Sequence, residues 1–118
     1  MECKILLTDE CEDWLLSLND KEQTDVLAVI KLLEKLGHRL GYPYSSKILG
    51  AKLAHLRELR IQHKGKPYRI LYAFDPKRAA ILLIGGNKGA DNRWYKKYIS
   101  IAEKLYDQHL KTLEEQSL

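Results

Sequence analysis

One stretch limits the possible folds more than any other: Leu53 to Lys88, LAHLRELRIQHKGKPYRILYAFDPKRAAILLIGGNK. In Leu56–Ile61 polar and apolar residues interleave, so Leu59 and Ile61 face one side of a strand while Glu58 and Arg60 face the other. Lys64-Gly65-Lys66-Pro67 reads as a turn. Tyr68–Phe74 is rich in β-branched and aromatic residues and reads as a second strand, closed by Asp75-Pro76-Lys77-Arg78. Ala79–Ile84 is apolar throughout, which suits a central strand covered on both faces. It is predicted to end at Gly85-Gly86, where the backbone is free to turn sharply. The stretch therefore predicts a three-stranded meander carrying Arg60, Arg69 and Lys88.

Around this meander the periodicity changes. Cys3–Leu7 reads as a short first strand, and Asp9 with Glu12 has capping-box spacing ahead of Cys11, Trp14, Leu15 and Leu18, one face of a helix. Asn19-Asp20 breaks the pattern, and Asp20 with Gln23 is placed to cap a second helix, whose apolar stripe includes Val26, Ile30 and Leu33 and which Gly37 ends. Residues 38–53 read as an irregular connecting loop, with Gly41, Pro43 and Gly50 as breakers, and Ser45, Ser46, Lys47 and Lys52 read as solvated polar residues, with phosphate contact as the alternative. A last helix is predicted from about Arg93 into the Lys111 region, with Tyr98, Ile101, Ala102 and Leu105 on the sheet side. The order is βααβββα, an α+β arrangement.

At 118 residues the chain is expected to form a single domain, 1–118. Its 45% hydrophobic and 31% charged residues are an ordinary globular balance. No apolar run approaches the roughly 18 residues of a membrane span, and the N-terminus lacks the pattern of a secretory signal, so a cytoplasmic protein without membrane contact is expected. Two cysteines, Cys3 and Cys11, are too few for a disulfide framework and read as reduced thiols. His38, His55, His63 and His109 are scattered without metal-ligand spacing, and no phosphate-binding Gly loop or dinucleotide fingerprint is present. Neither a metal nor a cofactor is expected. The formal net charge of +4 favours an anionic partner without naming one.

The remaining chemistry lies in cations and aromatics: Arg60, Arg69, Lys88, Arg93, Trp94, Tyr95 and Tyr98. Arginine grips a phosphate bidentately, lysine acts as a point charge, and aromatic rings stack on unpaired bases. Arg93, Trp94, Tyr95, Lys96 and Lys97 crowd the start of the last helix, where basic residues oppose the helix dipole. A metal-free ribonuclease needs a group that deprotonates a 2′-OH, charge stabilisation at phosphorus, and an acid for the leaving 5′-oxygen. Arginine and lysine suit the second need, with Arg69 read as an exposed strand cation, and Tyr95 suits the third or the orientation of the scissile nucleotide. Pairing of Arg69 with Glu58 is the competing reading, while Tyr68, Tyr72 and Phe74 read as core.

Leu56-Arg57-Glu58-Leu59-Arg60-Ile61, Gly65, Tyr68-Arg69-Ile70-Leu71-Tyr72, Asp75-Pro76, and Trp94-Tyr95 through Ala102-Glu103-Lys104-Leu105-Tyr106 together resemble the RelE/HigB toxins of type II toxin–antitoxin systems, in the branch described as phage-derived Gp49-like. The resemblance covers nearly the whole chain, and ELRI, turn, YRILYAFDP is its most specific part. It implies a microbial-RNase-type fold: two N-terminal helices on a small, mainly antiparallel sheet, with the C-terminal helix beside it. It also implies a ribosome-dependent, metal-independent endoribonuclease that cuts mRNA by 2′-OH attack and inhibits translation. The implied partners are the ribosome, mRNA and a cognate antitoxin of the helix-turn-helix, HigA-like type.

Carried over by position, Arg69 would hold the scissile phosphate, Arg60 would stand on the preceding strand, Lys88 would close the cleft, and Trp94 or Tyr95 would fall where a tyrosine opens the last helix. Arg57, Arg93, Trp94, Lys96 and Lys97 would supply further RNA contacts. The chain departs from the best-known active members at Glu58 and Leu59, where those carry a second lysine nearby, and it has no histidine after the last strand. A ParE-like gyrase poison of the same fold, or a non-catalytic nucleic-acid-binding module, is the alternative.

Overall fold

The computed structural model describes residues 2–117. In chain order the elements are β1 (Ile5–Leu7), α1 (Asp9–Ser17), α2 (Asp20–Leu36), a 3-10 turn (Gly37–Arg39), β2 (Ser45–Lys47), β3 (Arg57–His63), β4 (Lys66–Phe74), β5 (Ala80–Asn87) and α3 (Trp94–Gln116). The sheet runs β1-β5-β4-β3-β2, with β1 parallel to β5 and every other pair antiparallel. The segment expected to be an irregular loop therefore contains a short strand, Ser45–Lys47, whose register on Leu59–Arg57 no local pattern announces.

The two helix starts follow the cap chemistry, each one residue earlier than the spacing suggests. Thr8 rather than Asp9 caps α1: its hydroxyl accepts from Cys11 N at 3.0 Å and donates to Leu83 O at 2.6 Å, tying the helix to the sheet. Asp9, Glu10 and Glu12 fall in the first turn, where the dipole favours them. Asn19 rather than Asp20 caps α2, in a capping box with Glu22 (3.0 and 2.8 Å). Gln23 instead donates to Leu18 O. Gly37 ends α2 at φ 57°, a conformation that favours glycine.

Both faces of the sheet are covered. On one, α1 and α2 bring Cys11, Val26, Val29, Ile30 and Leu33 onto Leu59, Ile61, Tyr68, Ile70, Tyr72 and Leu82. On the other, Trp94, Ala102, Leu105 and Tyr106 of α3 lie with Leu71, Ala73, Ile81 and Leu83. This is why Tyr68–Ala73 and Ala79–Leu83 are buried without alternation. Cys3 and Cys11 are both free thiols, and burial pushes the Cys11 thiol up to about 12.

The turns differ from the sequence expectation in two places. His63 pairs with Lys66, so the first turn is only Lys64-Gly65, both at positive φ (49° and 79°), the twist a two-residue hairpin needs; Pro67 already belongs to β4. Gly85 and Gly86 are not a turn either: β5 continues through them, pairing with Ile70 and Arg69. Their role is to be flat. A Cβ at Gly85 would meet the Trp14 ring at 2.3 Å, and one at Gly86 would meet Trp94 Nε1 at 3.2 Å on the opposite face. Gly85→Ala is accordingly expected to destabilise the fold by ~1–3 kcal/mol through overpacking, and by more than Gly86→Ala. Urea midpoints of the two variants test this, and equal midpoints would remove Trp14 as the cause.

At its far end α3 runs past the Lys111 region, held where His109 Nε2 lies 2.8 Å from Asp75 Oδ2. Asp75 also accepts from the backbone N–H of Lys77 and Ala79, both at 2.9 Å. Burial works to raise its carboxyl, but the bond from His109 and those two N–H groups outweigh it, so the group lies below its ordinary value of 3.8. A depressed carboxyl stabilises the fold above the unfolded-state value and loses that contribution as pH falls through the folded-state value. Stability is therefore expected to fall in acid below about pH 4, less steeply in Asp75→Asn, as read from denaturation midpoints across pH 2–6.

Candidate nucleic-acid interface

The last helix, α3, lies across one face of the sheet. Strand alternation sends Glu58 and Arg60 of β3 to this face, together with Arg69 of β4, and the register sets Arg60 directly opposite Arg69. Two guanidinium groups so placed repel each other, and Glu58 stands between them. Its Oε1 lies 3.1 Å from Arg69 Nε and its Oε2 lies 3.9 Å from Arg60 Nη1. Glu58 and Arg69 are each only 5% exposed, whereas Arg60 is partly open.

Arg69 thus departs from the expectation of an exposed cation. Hydrophobic neighbours on the central strand and the Glu58 carboxylate draw it in, and its Nη1 donates to Tyr68 O at 2.9 Å. Its Nε–H is close to Glu58 but not aimed at it well enough for a hydrogen bond, so it is left without one. The attraction itself depends on distance far more than on angle, and the pair is an ion pair in that sense.

Glu58 is the hub. It accepts from Tyr95 O–H at 2.6 Å, from the first turn of α3, and from Ser46 Oγ at 3.1 Å, from β2. Burial first, then Glu58, raise the Tyr95 hydroxyl above the ordinary tyrosine range, partly offset by Arg69. Lys88 is placed by the bond from its backbone N–H to Pro67 O (2.9 Å), and its Nζ sits 5.9 Å from the centroid of the Tyr95 ring. Arg60, Arg69, Lys88 and Tyr95 are therefore brought together, with three cations against one carboxylate.

The flanking residues divide. Arg93, Lys96 and Lys97 are exposed at the start of α3, whose first turn holds no acidic residue. Trp94 is 3% exposed, lying on Gly86 and stacked on Tyr98 at 4.5 Å, so its ring is core and not a platform for a base. Arg57 projects to the α1–α2 face, where its Nε donates to Ser45 Oγ at 3.1 Å; strand alternation separates it from the cluster. The Arg69–Glu58 pair, the competing reading of Arg69, is what forms, whereas Ser46 is a member that sequence reasoning did not place. Glu58 shares the alternation that located Arg60, but Ser46 reaches it only through the unannounced β2–β3 register. Among the described residues no group of His, Cys, Asp and Glu has the arrangement of a metal site.

The arrangement defines a small α+β protein with a basic, tyrosine-bearing cluster on one face of a mainly antiparallel sheet. The family model described as Phage derived protein Gp49-like matches residues 13–107. The chain is 40% identical over 101 residues to HigB3 of Mycobacterium tuberculosis, covering 85% of this chain and 87% of that protein. It is 38% identical over 104 residues to HigB2 of the same organism, covering 86% of this chain and 52% of that protein, so it spans about half of HigB2. Two solved structures share the fold. They are the toxin–antitoxin complex RelBE2 of Mycobacterium tuberculosis (TM-score 0.55, 17% identity, 74% of this chain and 99% of that one) and the archaeal RelE–RelB complex of Pyrococcus horikoshii OT3 (0.55, 18%, 77% and 100%). The chain belongs to the RelE/HigB family of type II toxins, in its Gp49-like branch.

Proposed function

We propose that this toxin is a metal-independent endoribonuclease that cuts mRNA on the ribosome and so inhibits translation. The observation that carries the reading is the convergence of Arg60, Arg69, Lys88 and Tyr95 around Glu58 on the α3 side of the sheet. In this reading the three cations hold the scissile phosphate and stabilise the charge that builds on it. The 2′-oxygen attacks phosphorus, the bond from phosphorus to the 5′-oxygen breaks, and the products are a 2′,3′-cyclic phosphate and a 5′-hydroxyl. Glu58 is the proton acceptor of the cluster and takes the 2′-OH proton. Tyr95, held protonated by burial and by Glu58, gives its proton to the 5′-oxygen and regains one from Glu58 along their hydrogen bond.

A buried carboxylate already engaged by four side chains is a modest base, so orientation of the RNA by the ribosome supplies much of the rate. Inducing the chain in bacteria and mapping new RNA ends tests the reading. Cyclic-phosphate and 5′-hydroxyl ends confined to translated codons support it. Growth arrest with trapped gyrase–DNA complexes and no new mRNA ends would establish the ParE-like alternative.

RelBE2, which shares the fold, is a toxin–antitoxin complex, and the same reading gives this chain a cognate antitoxin, of the helix-turn-helix, HigA-like type. Exposed Leu16 and Leu27 on the two N-terminal helices favour docking there, with toxicity blocked sterically. Amide exchange of the toxin–antitoxin complex is expected to show protection within residues 9–37. Protection confined to residues 56–61, 68–74 and 88–95 would move the antitoxin onto the cleft.

A further inference from the structure

Beside the cluster the edge of the sheet is open. β2 pairs with only Arg57–Leu59, and the bond from Arg60 N to Tyr44 O at 2.8 Å continues the ladder by one residue. By strand alternation the N–H and C=O of Gln62 point to this same outer side, where no strand follows. The edge borders a groove of about 280 Å³, closed on the other side by the N-terminal half of α2 and by residues 43–44. Its walls are apolar at Val29, Pro43 and Tyr44 and polar at Asp25, Arg60 and Gln62. Tyr42, next in the chain to the groove residue Pro43, is 79% exposed, with the Arg60 guanidinium carbon 5.5 Å from its ring centroid.

Arg60 therefore joins two places, the cluster around Glu58 and this groove. Asp25, whose Oδ2 lies 2.5 Å from His63 Nδ1, puts a carboxylate in the groove. That makes it a poor seat for a phosphate, and leaves phosphate to the cation-rich side. A nucleobase meets both conditions: its faces are apolar, its edge carries hydrogen-bonding groups for Gln62 and Asp25, and it stacks on an aromatic ring. Tyr42, with one face near a cation and most of its surface in water, is placed to take that stacking.

We propose that the groove beside Arg60, with the exposed ring of Tyr42, is a base-binding subsite for single-stranded RNA, seating the nucleobase next to the phosphate held at Arg60 and Arg69. The inference rests on the endoribonuclease reading for its substrate, but not for its test. The full-length protein is titrated with a 2′-O-methyl hexaribonucleotide, which cannot be cleaved, and with a hexamer of equal charge lacking its two central bases. Wild type is expected to bind the complete strand about 10-fold more tightly, the range of one base stacked on one aromatic side chain. Tyr42→Ala should bind both strands alike, and Tyr42→Trp should restore the difference. Equal binding of the two strands by wild type, or an undiminished difference in Tyr42→Ala, overturns the subsite. Mapping mRNA ends after wild-type induction is independent of this result: mRNA cleavage without a Tyr42-dependent difference removes only the subsite. A Tyr42-dependent difference without mRNA cleavage leaves the subsite standing and removes the nuclease.

Discussion

Arg69→Ala is expected to abolish growth arrest, with a loss of ~10²–10³ in cleavage rate, the usual worth of a donor that stabilises developing negative charge. It is also expected to cost stability. Arg69 is 5% exposed and its Nε lies 3.1 Å from Glu58 Oε1, so truncation leaves a buried carboxylate with Tyr95, Ser46 and the more distant Arg60 as partners. Breaking one side of a buried pair typically costs ~3–5 kcal/mol, and the surviving partners of Glu58 place this case at the low end. Arg69→Lys separates the two effects. It keeps a cation beside Glu58 and much of the stability, but loses the planar fork that grips a phosphate. Single-turnover cleavage on mRNA-programmed ribosomes, with urea denaturation of the same samples, measures both quantities. An Arg69→Lys protein that is stable and as fast as wild type would remove Arg69 from phosphate binding.

Tyr95→Phe is expected to lower the cleavage rate by ~10²–10⁴, the contribution of a positioned general acid, with little change in the fold because the ring and its contact with Trp94 remain. Glu58 loses its shortest hydrogen bond, at 2.6 Å, and keeps Arg69 and Ser46. The pH profile carries the sign of the argument. A general acid works below its pKa, and burial with Glu58 raises that of Tyr95, so wild-type activity should show no alkaline loss from this residue up to the ordinary tyrosine value of 10.0. A wild-type alkaline limb near neutrality that disappears in Tyr95→Phe would contradict the assignment, as would a Tyr95→Phe enzyme of undiminished rate.

Much of this molecule is legible from local chemistry, since short-range rules act through neighbouring residues. Alternation in Leu56–Ile61 separates the core side of β3 from its charged side, and the i, i+3, i+4 stripe of α2 marks its buried face. The same alternation sets Arg60 beside Glu58, because a strand has a period of two, whereas Arg69 stands on a strand buried without alternation and is marked only by its residue type. The helix caps are off by one residue, because Thr8 and Asn19 compete with adjacent acidic residues that are equally good caps in isolation.

What only the tertiary structure decides is everything that depends on who stands opposite whom. Composition presents Gly85-Gly86 as a breaker, yet two tryptophans from different helices, one on each face, make glycine the side chain that fits a strand there. Trp94 looks like a base platform until Gly86 and Tyr98 enclose it. Ser45–Lys47 becomes a strand because β3 offers an edge, and that pairing delivers Ser46 to Glu58. Glu58 itself reads as a departure from a lysine pattern along the chain, and in space it is the carboxylate that lets Arg60 and Arg69 stand directly opposite each other. Residue type and spacing determine which side chains are available on each face, whereas register and the one-sided roof of α3 determine which of them meet, because electrostatic and hydrogen-bonding partnership depends on distances that close only when the sheet does.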